Sequence, residues 1–211
     1  QQAVVKQRGD IVVLARQKAD SVVLVNPRLY RRRQHGRRQR PVVRQIASTL
    51  GVSPMTPYRY FQDKDEILAT VRAASYHRFA ETLETALDKA PDARSKARAV
   101  GDAYVGFAKR EPAAYQLIFT FTQPDEQRYP ELVDANSRAQ NTMVDYVRHM
   151  IDANLLQGDA QLIGYMFWAA LHGVVVLEMA NGLRGMDGDT LRKKIMSTLA
   201  AGMRVQPPTL D

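Results

Sequence analysis

The 211-residue sequence has no cysteine, a single tryptophan and no charged residue between positions 162 and 177. Without cysteine there can be no disulfide framework, thiolate metal site or cysteine nucleophile. The N-terminus lacks the ordered basic, apolar and small-residue regions of a secretory leader, so a cytoplasmic protein is expected. No Walker or Rossmann glycine pattern and no G-x-S-x-G elbow is present. The four histidines, His35, His77, His149 and His172, show no metal-ligand spacing. We therefore expect no catalytic residue, no metal and no cofactor, and a protein that is not an enzyme. With 45% hydrophobic and 25% charged residues, the composition excludes wholesale disorder. A chain of this length can bury a core unaided, as one domain or a small one joined to a larger.

The 16-residue uncharged run at 162–177 is shorter than the roughly 20 residues of a membrane span. It contains His172 and meets Glu178 directly, so it reads as a buried helix, and no membrane partner is expected.

Charge is unevenly distributed. Residues 1–64 carry 14 Lys+Arg and 3 Asp+Glu, a net +11, while residues 65–211 carry 16 and 19, a net −3. A basic segment ahead of a slightly acidic body is the electrostatic footprint of a nucleic-acid reader.

Along the chain, residues 11–25 hold two β-branched apolar runs without helical period, and residues 28–44 hold eight arginines and no acid. This stretch reads as a solvated loop or a phosphate-binding arm. Beyond Pro41 the pattern becomes helical. Val43, Ile46, Ala47 and Leu50 share one face of a short helix that Gly51 ends. Ser53 can cap a second helix with Pro54 at its first position. Asp63 and Glu66 stand at capping-box spacing before a long third helix, expected at 63–88 with Ile67, Leu68, Val71, Ala74, Phe79, Leu83 and Leu87 on its apolar stripe. Two short helices around a Gly-Val turn, in a basic neighbourhood, form a helix-turn-helix. Further helices are expected near 92–110, 112–121, 129–156, 159–182 and 189–204. The fold class is all-α.

Residues 42–68, VVRQIASTLGVSPMTPYRYFQDKDEIL, resemble the DNA-binding region of the tetracycline-repressor (TetR) family. The shared positions are Ile46-Ala47, Gly51-Val52, Ser53, Thr56, Tyr58, Phe61 and Lys64. The segments REPAAYQLIF at 110–119 and WAALHG at 168–173 resemble a W-x-x-x-H-G group of C-terminal effector domains in the same family. Met55 and Pro57 depart from the family pattern, as does the region upstream, where a displaced helix within residues 3–25, a divergent scaffold and an altered N-terminal reading all fit. The resemblance implies a helix-turn-helix domain at 1–88 (motif 42–61, connecting helix 63–88) and a helical effector-binding and dimerisation domain at 89–211.

In such a reading head, short hydrogen-bonding side chains at the start of the recognition helix reach base edges in the major groove. Ser53, Thr56 and Arg59 meet that need, with Pro54 at the helix start and Met55 beside a thymine methyl. Tyr58, Tyr60 and Lys64 can bind phosphates, and Arg44 and Gln45 anchor the backbone from the preceding helix. Phe61 reads as core. Tyr104, Phe107, Tyr115, Phe119 and Tyr146, with Met143, lie on helices that surround an inducer cavity in the family. Each alone reads more simply as core; together they suggest a hydrophobic effector. Trp168 and His172, one turn apart, can stack or share a polar partner, as ligand contacts or as structure. Ala169, Ala170 and Gly173 would admit a second helix closely. By resemblance they join Leu177, Leu191 and Ile195 in a homodimer interface made by the last two helices.

The expected function is that of a one-component regulator, a repressor binding a palindromic double-stranded operator as a dimer and released by a small hydrophobic effector. The rivals are a non-specific DNA- or RNA-binding basic protein and a helical enzyme or ligand carrier with an accessory basic head.

Overall fold

A computed structural model describes residues 6–8, 11–13, 61–120 and 125–205 of the chain. Two three-residue strands, β1 (Lys6–Arg8) and β2 (Ile11–Val13), pair antiparallel with Gln7 opposite Val12. The remaining described elements are helices: α1 (Lys64–Lys89), α2 (Ala93–Arg110), α3 (Pro112–Thr120), α4 (Pro130–Asp152), α5 (Ala160–Met179) and α6 (Gly188–Gly202), with a 3₁₀ turn at Glu126–Arg128. The helix-turn-helix segment at 42–60 lies outside the described residues.

The helices begin where their sequence signals stand. The Asp63 carboxylate accepts from the amides of Asp65 and Glu66 at 2.9 and 2.8 Å. Glu66 accepts from the Gln62 amide, one residue before the partner a capping box would give it. Asp92 accepts from the Ser95 amide, Asp159 from that of Leu162 and Asp187 from that of Thr190, at 2.7–2.9 Å. Pro112 and Pro130 each occupy a first helical position, where no amide donor is needed. Two asparagines in the left-handed region act at the ends: Asn154 (φ 54°) follows α4 and Asn181 (φ 53°) follows α5. They stop these helices at 152 and 179, a turn or less short of the expected 156 and 182.

The chain divides into two compact units: Gln1–Arg78 with Lys109–Ser137, and Phe79–Ala108 with Arg138–Asp211. In the first, α1 buries Ile67, Val71 and Tyr76, α3 buries Tyr115, Leu117 and Ile118, and α4 buries Leu132 and Ala135. The Tyr76 hydroxyl donates to the Ile118 carbonyl at 2.8 Å. Arg72, almost fully buried, meets Glu126 at 3.5 Å, and Asn136 donates to the same carboxylate. The second unit buries Phe79 and Leu83 of α1, Val100, Tyr104 and Phe107 of α2, Met143, Tyr146 and Val147 of α4, and Ile163, Phe167, Leu171 and Val174 of α5. Arg138 chelates Glu84, and Arg192 binds Asp102 at 2.7 Å.

Helix α5, uncharged as far as Glu178, is buried along one side only within the single chain. Ile163, Phe167, Leu171, Val174 and Val175 are inside, but Leu162, Tyr165, Met166, Val176 and Leu177 are exposed, Leu162 at 62%. The sequence is apolar all round, and the single chain covers only one side of it. By length and composition this helix could also cross a membrane.

Candidate functional site

The second unit gathers six of the expected effector residues: Tyr104, Phe107, Met143, Tyr146, Trp168 and His172. Phe79, which sequence reasoning had placed only on a helix stripe, is the hub of its aromatic cluster. The Phe79 ring meets Tyr104 edge-on at 5.4 Å and Phe107 at 5.2 Å. Tyr115 and Phe119 belong to the first unit, where their rings tilt together at 4.8 Å one helical turn apart.

Trp168 and His172 share a polar partner, the hydroxyl of fully buried Tyr104. The indole N–H of Trp168 donates to Tyr104 Oη at 3.2 Å, and His172 Nδ1 lies 3.1 Å from the same oxygen. An indole can only donate, so the tyrosine oxygen accepts there. Burial holds His172 below the usual imidazole range. The spacing i, i+4 on α5 is what lets both side chains converge on one atom.

A close crossing of α4 and α5 sets the other wall. At Gly164 an added Cβ would stand 2.8 Å from the Met143 carbonyl oxygen and 3.2 Å from the Val144 Cα. Only glycine admits this approach. One turn further on, the Phe167 ring lies 6.3 Å from that of Tyr146. The sequence alone does not single out Gly164, because a glycine inside an apolar run signals a crossing only when its facing helix is known.

The opposite face of α5 carries Leu162, Tyr165, Met166, Ala169, Gly173, Val176 and Leu177, spaced three or four residues apart. Of the expected interface residues, Ala169 and Leu177 are exposed, while Ala170, Gly173, Leu191 and Ile195 are half-buried. A Cβ at Gly173 would meet nothing within 4 Å. Among the described residues nothing requires glycine there.

Of the expected DNA contacts, Lys64 is the first residue of α1. Arg44, Gln45, Ser53, Pro54, Met55, Thr56, Tyr58, Arg59 and Tyr60 lie outside the described residues.

Residues 97–199 match the family model of the tetracycline repressor-like C-terminal domain. This C-terminal region belongs to the tetracycline-repressor family. Its members are transcriptional regulators and not enzymes. The fold agrees with solved structures. A Rhodococcus sp. RHA1 protein of unknown function is 25% identical, with a TM-score of 0.66 over 77% of this chain and 84% of that one. A TetR family transcription regulator from Marinobacter aquaeolei VT8 is 18% identical, with a TM-score of 0.61 over 78% and 85% of the two chains. The regulator FadR from Bacillus subtilis, solved in complex with stearoyl-CoA, is 18% identical, with a TM-score of 0.62 over 77% and 88%. No curated protein matches the sequence.

Proposed function

We propose that this TetR-family regulator is a cytoplasmic, homodimeric repressor that reads a palindromic operator through residues 42–61 and releases it when a small hydrophobic effector binds. In this reading residues 1–88 form the DNA-binding domain and residues 89–211 the effector and dimerisation domain. The observation that carries the dimer is the uncovered apolar face of α5. Exposed apolar side chains in continuous helical register, flanked by an unconstrained glycine, mark a surface for another protein. A second copy supplies an identical face, and a two-fold dimer matches the symmetry of a palindromic operator.

The effector side rests on the aromatic cluster around Phe79, Tyr104 and Phe107 together with Met143, Tyr146 and Phe167. The FadR structure with stearoyl-CoA supports an effector with a long apolar part. Release is a population shift: the effector favours a spacing of the reading heads that does not match successive major grooves.

Sedimentation of the full chain tests the dimer. Gly173→Arg places a long cation where the two helices would meet, and burying it unpaired costs several kcal/mol. The variant chain should fold yet sediment as a monomer. A native-like dimer in this variant would move the interface elsewhere on the molecule. Association of the wild type with lipid vesicles instead of with itself would assign the face to a membrane surface.

A further inference from the structure

Helices α4 and α5 end in the same way. After α4, the Asn154 amide donates to the Ile151 carbonyl and the Leu155 amide to the Met150 carbonyl, both at 2.9 Å. After α5, the Asn181 amide donates to the Glu178 carbonyl at 3.0 Å and the Gly182 amide to the Leu177 carbonyl at 2.8 Å. Each pair of bonds closes the helix around an exposed asparagine in the left-handed region. The two corners differ in the residue that follows. Leu155 carries a branched side chain beside its own amide nitrogen, whereas Gly182 carries none. Among the asparagines of the chain, only Asn181 precedes a glycine.

That difference has a chemical consequence. An amide nitrogen with no side chain beside it can reach the side-chain carbonyl of the asparagine before it. The Gly182 nitrogen then bonds to Asn181 Cγ and gives up its proton, while the Cγ–Nδ2 bond breaks and ammonia leaves. The resulting five-membered imide takes up one water at either carbonyl and opens to aspartate or isoaspartate. The reaction consumes only water. In the folded chain, however, the Gly182 N–H is held by the Leu177 carbonyl. The nitrogen can neither lose that proton nor turn toward Cγ until the corner opens.

We propose that Asn181 is a site of spontaneous deamidation, locked by the cap that ends α5 and released when that helix end opens. The product undoes the corner in which it forms. Isoaspartate lengthens the backbone by one carbon, which takes the Gly182 amide out of register with the Leu177 carbonyl. Either product adds a negative charge at the C-terminal end of α5, where the helix dipole is already negative. The neighbourhood has little slack, because a Cβ at Gly188, the first residue of α6, would stand 2.6 Å from Glu178 Cδ.

The test incubates the full chain at about pH 8, folded or in guanidinium chloride, and cleaves it with trypsin. The fragment 149–184 holds both Asn154 and Asn181, so the two corners are compared within one peptide by mass spectrometry. The amide-to-acid mass gain should fall on Asn181 and not on Asn154. It should accumulate at least about tenfold more slowly in the folded chain, where two hydrogen bonds must open first. Gly182→Ala should lose the gain; its Cβ first meets the Leu177 side chain, at 3.2 Å. Should that variant not fold, its comparison with the wild type in guanidinium chloride still tests the glycine. Converted chain, separated by ion exchange, should melt below the unconverted chain. No gain at Asn181 in guanidinium chloride, equal gain at Asn154, equal rates in the two states, an undiminished gain in Gly182→Ala, or equal melting of the converted chain each overturns the proposal. None of these measurements involves DNA or an effector, so the regulator reading stands or falls separately.

Discussion

At the scale of single residues, Tyr104 joins three contacts, since it packs on Phe79, accepts from Trp168 and lies beside His172. Tyr104→Phe keeps the ring packing but removes the oxygen that two half-buried polar groups share, at a cost of about 0.5–1.5 kcal/mol. Urea unfolding at pH 7.5 measures this. The same contact sets a pH dependence. Because the folded state holds His172 below its unfolded value near 6.5, protonation favours the unfolded chain. Stability from this residue is intact above about pH 6.5 and is lost as pH falls from there through the lower folded value. Unfolding free energies between pH 5 and 7 should therefore fall less steeply for His172→Gln than for the wild type. Parallel slopes would mean that His172 is protonated as readily when folded as when unfolded. The aspartates that begin α2 and α6 behave in the opposite range. Hydrogen bonds from Ser95 and Thr190 hold Asp92 and Asp187 below the ordinary carboxylate value, so their support is present above that value and fades only as pH falls from it through the lower folded one.

At the scale of elements, two glycines of α5 separate fold from assembly. Gly164→Ala drives a methyl group into the backbone of α4, which cannot yield as a side chain can. Overpacking of this kind costs about 1–3 kcal/mol, and a lowered melting temperature is expected. Gly173→Ala meets open space within the chain, so the gain of about 1 kcal/mol in helix propensity should show in the isolated subunit. Analytical sedimentation should nevertheless find its dimer weakened. Equal behaviour of the two alanine variants in both assays would contradict the division of α5 into a packed side and an associating side.

These elements also show what the sequence made legible. Helix starts were readable because Asp63, Asp92, Asp159, Asp187, Pro112 and Pro130 act within their own first turn. Helix ends were less so, because Asn154 and Asn181 stop α4 and α5 through a backbone conformation that asparagine adopts in many settings. The uncharged run at 162–177 reads as a buried helix, but composition cannot say which of its neighbours come from the same chain. The convergence of Trp168 and His172 on a shared partner was visible from their spacing. Tyr104 as that partner was not, because it lies 64 and 68 residues away in sequence.

At the scale of the whole molecule, the +11 of residues 1–64 and the −3 of the remainder match the proposed division into a part that binds a polyanion and a part that binds the effector. Lys64→Ala should weaken binding to every duplex and lower the salt slope by about one unit. Thr56→Ala should cost about 1–3 kcal/mol on the operator alone, relaxing specificity instead. Mobility shifts over a salt series distinguish the two. The central claim joins these ends by a coupling free energy, typically about 1–3 kcal/mol, that must be the same in both directions. The most direct test titrates stearoyl-CoA, the ligand in the FadR complex, into the full chain with and without a palindromic duplex that the chain has selected from a random pool. The duplex should weaken ligand binding by the factor by which the ligand weakens duplex binding; a ligand affinity identical in the two titrations would contradict ligand-controlled release.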